Sequence, residues 1–148
     1  MVGCPIYAVG VGRRPSSLEI LWQQGAAAFA FLCEEFDFDG PERTEDGIAY
    51  HRPDMHIDVG TWAWKHEASF DTGIRRVDRR TGEQTSADLG DLYVAAGLGP
   101  AQHVPGNVGG GRTVVKRIAQ HATALRRLMP YLTGPTAAEL FCRCRPGP

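Results

Sequence analysis

Lysine, long apolar runs and paired cysteines are scarce or missing in this sequence, and each absence narrows the class of protein. Only Lys65 and Lys116 among its 16 basic residues are lysines. We attach no function to this bias, because genomes rich in G and C often favour arginine. No segment approaches the roughly 20 apolar residues of a membrane-spanning helix. The apolar start lacks the preceding positive charges of a signal peptide. We therefore expect a cytoplasmic protein that does not enter a membrane.

The cysteines and the missing motifs argue against several kinds of site. Cys4, Cys33, Cys142 and Cys144 include no C-x-x-C pair, so we expect neither a disulfide framework nor a zinc ribbon. Cys33 lies on an apolar helix face, where a buried thiol is expected. The sequence also lacks H-E-x-x-H and G-x-S-x-G, the motifs of a zinc protease and of a hydrolase nucleophile. We therefore predict no cofactor, no metal and no catalytic residue.

The length of 148 residues fits one domain, residues 1–148. We expect residues 1–14 to form an N-terminal arm and residues 145–148 to fray. A long helix is predicted from the serine cap at Ser16–Ser17 to about Phe36, because apolar residues recur there at spacings of three and four. Gly40–Pro41 is a stop and turn signal.

The middle of the chain predicts three or four antiparallel strands with short connections. Large apolar residues alternate in the middle segment, but Trp62 and Trp64 fall out of phase with them, and a bulge at Gly60 is the simplest explanation. The predicted strands are Gly47–Arg52, a segment from Met55 past Gly60, and about Ser69–Val77.

Helices are predicted to follow the strands. A short helix, Leu89–Leu98, begins after a cap within Ser86–Asp88, and a long helix begins at Thr113 as its cap. Pro130 is expected to kink or end the long helix, and a last short helix covers 136–144. The inner face of the long helix is predicted to hold Val114, Ile118, His121, Leu125, Leu128 and Leu132. This order predicts an α+β fold: an N-terminal helix, a three- to four-stranded antiparallel meander, and C-terminal helices packed on one sheet face.

The stretch GNVGGGRT, residues 106–113, has nearly the spacing of a phosphate-binding loop. An arginine replaces the lysine, no buried strand precedes it, and no later strand ends in a metal-binding aspartate. We therefore interpret it as a flexible connection followed by a helix cap. A generic anion site at the helix start, made by Gly111, Arg112, Thr113 and Lys116, remains open.

Two further groups of residues leave alternatives open. His51, Asp54 and His56 surround a turn and carry metal-ligand chemistry, but exposed sheet histidines are the simpler interpretation. Trp62 and Trp64 share one face of a strand, which either contributes to the core or forms a recognition surface. His121 lies on an apolar helix face, so we expect a hydrogen-bonded core or rim histidine rather than a catalyst.

Charge is distributed unevenly along the chain. Between Pro15 and Tyr50 there are eight acids and one base, whereas from Ala101 onward there are seven bases and one acid. Such asymmetry indicates an interaction surface, or two halves that face each other. The candidate partner-binding residues are Glu34, Glu35, Asp37 and Asp39.

The N-terminal helix leading into CEEFDFDGPERTEDGIAYHRPDMHIDV, together with the closing ATALRRLMPYLTG, resembles small α+β proteins of unknown function from actinobacteria. Some of these are similar in layout to immunity proteins, which bind and block a toxin partner. The resemblance implies a protein-binding or inhibitory module, and it supplies no site residues.

The leading hypothesis is therefore a small intracellular module that binds a basic protein partner through its acidic segment. The alternative is an enzyme or sensor that binds a phosphorylated small molecule at the glycine-rich loop. Nucleic-acid binding through the arginine-rich last helix is weaker, because the isoelectric point is about 6.5 and no RNP-like motif is present.

Overall fold

The computed structural model describes residues 16–64, 67–108 and 111–144. The expected arm, 1–14, and the expected frayed tail, 145–148, lie outside the described residues, as do 65–66 and 109–110. Among the described residues, no helix combines the length and the apolar character needed to cross a bilayer. The elements are α1 (Ser17–Ala28), α2 (Ala30–Phe36), β1 (Asp39–Arg43), β2 (Gly47–Arg52), β3 (Met55–Trp64), β4 (Glu67–Val77), β5 (Gln84–Asp88), α3 (Leu89–Ala95), a 3-10 turn (Ala101–His103), α4 (Gly111–Leu132) and α5 (Ala137–Arg143).

The five strands form one antiparallel sheet in the order β1-β2-β3-β4-β5. The fold is α+β, as predicted, but the sheet has five strands rather than three or four. The two additional strands lie at the edges. Every residue of β1 is exposed, and β5 is a run of small and polar residues. Neither strand carries the apolar alternation that marks a half-buried strand, so neither was visible in the pattern.

The bulge expected at Gly60 is wrong. Gly60 pairs with Gly47 on one side and with Asp71 on the other, and the register continues to both ends of β3. Regular pleating therefore places Trp62 on the opposite face from Met55, Ile57 and Val59. We call the face that carries the three apolar side chains the inner face, and the face that carries Trp62 the outer face. Among the described residues, the pairing of β1 with β2 is irregular, because its register shifts between Asp39 and Glu42.

The prediction of a single N-terminal helix is also wrong, because the helix is interrupted at Phe29. Its backbone torsions, φ −102° and ψ 14°, interrupt the helix between α1 and α2. The Phe29 ring is fully buried, with its centroid 6.4 Å from that of Tyr50 on β2. Burial of this ring against the sheet overrides the helical propensity of the segment.

Buried side chains of the inner face and of the helices belong to one hydrophobic cluster. Gly25 of α1 sits against Ile48 of β2, and His121 of α4 contacts Phe70 and Thr72 of β4. The predicted inner face of α4 is confirmed: Val114, Ile118, His121, Leu125, Leu128 and Leu132 are all buried. Packing of the C-terminal helices on one face alone stays a prediction.

The helix ends differ from the sequence-based expectations in detail. Helix α4 begins at Gly111, so Thr113 lies inside the first turn and is not the cap. Asp88 caps α3, since its side chain accepts a hydrogen bond from the Gly90 N–H at 3.1 Å. Helix α4 ends at Leu132, two residues after Pro130, which removes one N–H from the last turn.

Candidate functional site

The four acids singled out in the sequence lie on α2 and β1, and we call them the acidic surface: Glu34, Glu35, Asp37 and Asp39. All four are exposed. Asp37 ends α2 in the left-handed region at φ 61°, which a short polar side chain tolerates. Glu34 and Glu35 lie near the C-terminal end of α2, where the helix dipole disfavours negative charge. Helix stability therefore does not explain their presence there.

Part of the acidic surface is neutralised from within the chain. Glu35 forms an ion pair with Arg126 of α4, whose guanidinium also lies over the Phe31 ring at 5.6 Å. The acidic and basic halves of the sequence thus face each other at this point. Among the described residues, Glu34, Asp37 and Asp39 take part in no ion pair. Three carboxylates of the acidic surface therefore remain available to a partner.

The residues of the predicted anion site lie in the first turns of α4. Arg112 and Lys116 are exposed and Thr113 is half-buried. Gly111 starts the helix, and the two glycines before it lie outside the described residues. The first turn of α4 contains no acid, so the polarity of this helix end suits an anion. Anion binding here stays a prediction.

The histidines around the β2–β3 turn form a pair on the outer face. His51 and His56 are opposite each other, with their Nδ1 atoms 2.7 Å apart. One of these atoms must donate and the other accept. Burial lowers the pKa of His56, and Arg75 and His51 lower it further. Within the described residues, no three His, Cys, Asp or Glu side chains converge as a metal site requires.

A groove of about 560 Å³ crosses β3, β4 and β5 on the outer face, and we call it the outer groove. Trp62 forms one wall and is 44% exposed, because its ring lies over Gly60 rather than in the core. Gly73 is part of the floor, where an added Cβ would meet no atom within 4 Å. The charged lining residues are Asp58, Asp71, Arg75 and Asp88.

The outer groove is acidic, and Arg75 is the one cationic residue that lines it. Burial raises the pKa of the Asp88 carboxyl, the Gly90 hydrogen bond opposes this, and the carboxylates of Asp71 and Asp91 raise it further. Arg75 Nε is buried and has no hydrogen-bond partner among the described residues. The groove therefore offers three carboxylates, those of Asp58, Asp71 and Asp88, to a cation.

A second concavity, about 400 Å³, lies between α3, the 3-10 turn and α4, and we call it the α4 pocket. Tyr93 of α3 is 1% exposed, and its hydroxyl joins two polar side chains. Arg127 Nη1 donates to it at 2.6 Å, and His103 Nδ1 lies 2.9 Å from it. The remaining lining residues are Gln102, Ala119, Gln120, Thr123 and Ala124.

His121 is a buried core residue with both ring nitrogens hydrogen-bonded, as expected. Nδ1 lies 2.9 Å from the Thr72 hydroxyl, and Nε2 lies 2.8 Å from the Pro105 carbonyl oxygen. Burial lowers the pKa of the ring. Because both nitrogens are occupied inside the core, His121 is not available to a substrate.

Sequence reasoning missed the outer groove and the α4 pocket. The phase shift at Trp62 was a signal for the groove, because an uninterrupted strand places that ring opposite the apolar set. For the α4 pocket, the one indication in the sequence was that the polar residues Gln120, Thr123 and Arg127 recur at helical spacing. The positions of Tyr93 and His103 beside that face follow from tertiary packing.

Comparison with known proteins gives no further evidence on these sites. No family model, no curated protein and no solved structure matches this chain.

Proposed function

We propose that this protein is a protein-binding module that recognises a basic partner through the acidic surface, with the immunity-like layout inferred from the sequence. The observation that carries the proposal is the set of carboxylates at Glu34, Asp37 and Asp39, which are exposed and engaged by no cation among the described residues. Charge complementarity of this kind steers association and selects the partner.

The position of β1 adds support. It is an edge strand, and Glu42, Glu45 and Asp46 extend the negative charge along it and into the following turn, all of them exposed. Charges and Pro41 on an edge strand discourage backbone pairing with another sheet. We therefore propose that the partner contacts side chains here, rather than adding a strand.

The outer groove supplies a second contact area in the same proposal. Tryptophan, like tyrosine and arginine, is enriched among the residues that contribute most of the binding energy of a protein interface. The carboxylates of Asp58, Asp71 and Asp88 around Trp62 suit a lysine or arginine side chain of the partner. We further propose that the C-terminal helices pack only on the inner face, which leaves this groove accessible.

The test is a surface plasmon resonance measurement of the association rate with the purified partner at low salt, with two matched triple variants. E34Q/D37N/D39N removes three charges of the acidic surface without changing side-chain shape. E83Q/D91N/E139Q removes three exposed acids elsewhere. A toxin encoded beside this gene would be the first partner to purify.

The first variant should slow association with the purified partner on the order of tenfold at low salt, with a smaller difference at high salt. The second variant should associate like the unmodified protein. Equal association rates for the unmodified protein and E34Q/D37N/D39N at low salt would exclude the acidic surface as the docking site.

A second candidate function is binding of a phosphorylated small molecule at the start of α4. The exposed Arg112 and Lys116, in a helix start free of acids, favour it. Saturation at a hundredfold excess over Kd adds about 2.7 kcal/mol to the free energy of unfolding. ATP, GTP or pyrophosphate should therefore raise the melting temperature, and R112A/K116A should abolish the increase. No increase with any of the three would eliminate this candidate.

A further inference from the structure

The α4 pocket contains a hydrogen-bond chain whose direction can be worked out. Arg127 Nη1 is a donor, so the Tyr93 oxygen accepts its hydrogen bond at 2.6 Å. The Tyr93 proton is buried and needs an acceptor, and His103 Nδ1 lies 2.9 Å away. The hydroxyl thus donates to Nδ1. The neutral His103 ring must then carry its own proton on Nε2.

Two other polar side chains of the α4 pocket also carry hydrogen-bond donors. Arg117 Nη1 donates to Gln120 Oε1 at 2.8 Å, which occupies the amide oxygen and leaves its NH₂ group as the available part. Thr123 is exposed and contributes a hydroxyl. Arg127 pairs with no carboxylate among the described residues, and no acid lines the pocket.

We infer that the α4 pocket binds a small organic anion, either a carboxylate or a phosphate monoester, with Arg127 as the charged donor. The available groups are the remaining N–H groups of Arg127, the Nε2–H of His103, the NH₂ of Gln120 and the hydroxyl of Thr123. Donors that line one pocket without a carboxylate among them are complementary to a negative oxygen cluster. This site is separate from both the acidic surface and the start of α4, and it stands without the proposed function.

The size of the α4 pocket limits the ligand. Its volume of about 400 Å³ lies at the small end of ligand sites, which span about 300–1,000 Å³. Ala119, Ala124 and the Tyr93 ring line it with apolar surface. A compact anion with a small apolar body fits this combination, in which the body covers the alanines and the anionic end meets Arg127.

The experiment is a titration of backbone amide NMR signals at constant ionic strength. The probes are inorganic phosphate and benzoate, with benzylamine as a cation of benzoate's size. Either anion should give saturable shifts centred on Gln102–His103, Ala119–Ala124 and Arg127, while benzylamine gives none there. Saturation by phosphate alone identifies a phosphate site, and saturation by benzoate alone identifies a carboxylate site.

Adjacent arginines supply the matched variants. R127Q removes the charged donor and should weaken binding by about tenfold or more, as expected for a hydrogen bond from a charged group. R126Q replaces the neighbouring arginine, which pairs with Glu35 and does not line the α4 pocket. This variant should bind the anions like the unmodified protein. If R127Q fails to fold, T123V tests the same pocket at an exposed position and should weaken binding several-fold.

Three results would overturn the inference. One is the absence of saturation by both anions. Another is a set of shifts centred on Arg112 and Lys116, which would place anion binding at the start of α4. The third is an equal loss of affinity in R126Q and R127Q.

Discussion

The Thr72 hydroxyl on β4 donates a hydrogen bond to Nδ1 of His121 on α4 across 2.9 Å. The direction follows from the other ring nitrogen: Nε2 lies 2.8 Å from the Pro105 carbonyl oxygen, which can only accept. The neutral ring therefore carries its proton on Nε2. The Phe70 ring meets the imidazole edge-to-face at 4.7 Å. The buried His121 side chain thus connects α4 to β4 and to Pro105, which lies between the 3-10 turn and α4.

The free energy of unfolding should fall as the pH is lowered below about 6.5, the ordinary histidine pKa. Burial lowers the pKa of His121 in the folded protein. Between that lowered pKa and 6.5 the unfolded chain binds more protons than the folded chain, so stability rises with pH in that window. Above pH 6.5, the contribution of His121 to the free energy of unfolding is fully present. Urea unfolding between pH 5 and pH 7.5 measures it.

His121→Gln is the control for this pH dependence. The substitution removes the titrating ring and leaves the other histidines in place, so the difference between the two proteins isolates His121. The variant should be less stable at pH 7.5 and should show a flatter pH profile. Two parallel profiles would show that another group is responsible.

Thr72→Val should destabilise the protein by about 1–3 kcal/mol, because it leaves Nδ1 of the buried His121 without a donor while preserving side-chain shape. Thr72→Ser keeps the hydroxyl and should cost less. Urea midpoints compare the two. A valine variant at least as stable as the serine variant would contradict the assigned hydrogen bond.

The elements that the sequence predicted are those with a strong apolar period. The inner face of α4 was predicted residue by residue, since burial of Ile118, Leu125 and Leu128 requires that spacing. Strands β1 and β5 were missed because their side chains are exposed or polar and are held by pairing with a neighbour. The break at Phe29 was missed because one ring packs against Tyr50, a residue distant in sequence.

The candidate sites divide in the same way. The acidic surface could be proposed from composition, since its residues are close together in the chain. The pairing of Glu35 with Arg126 was not predictable, because it joins residues 91 positions apart. The α4 pocket likewise joins Tyr93, His103 and Arg127 from three elements. The spacing of residues along the sequence gives no information on tertiary contacts of this kind.

Gly47→Ala should destabilise the protein severely, by about 3 kcal/mol or more. An added Cβ would meet the Val59 carbonyl oxygen and would lie 2.8 Å from Gly60 Cα, so the β2–β3 pair would have to separate. The Gly47 carbonyl also accepts the Trp22 Nε1–H at 2.9 Å. Thermal unfolding measures the change, and Gly90→Ala is the comparison, because its Cβ would meet only the Asp88 side chain at 3.3 Å. Equal melting temperatures would contradict the close approach of β2 and β3.

Trp62→Ala and Gly73→Ala should separate partner binding from stability in the outer groove. Trp62 is 44% exposed, and an alanine Cβ at Gly73 would meet nothing within 4 Å, so each variant should unfold within about 1 kcal/mol of the unmodified protein. The first removes the aromatic wall, and the second places a methyl group on the floor. If a partner side chain occupies the groove, Trp62→Ala should weaken binding by about 2 kcal/mol or more, as interface tryptophans do. Gly73→Ala should weaken it through steric exclusion.

Tyr131→Ala is the matched control for these two variants, since Tyr131 is 43% exposed and lies on α4, outside the outer groove. It should bind the partner like the unmodified protein in the same calorimetric titration. Loss of binding in all three variants would indicate a general effect of truncating exposed residues. Full binding by both groove variants would confine the partner to the acidic surface, because no side chain of the partner could then depend on Trp62 or on the open floor at Gly73.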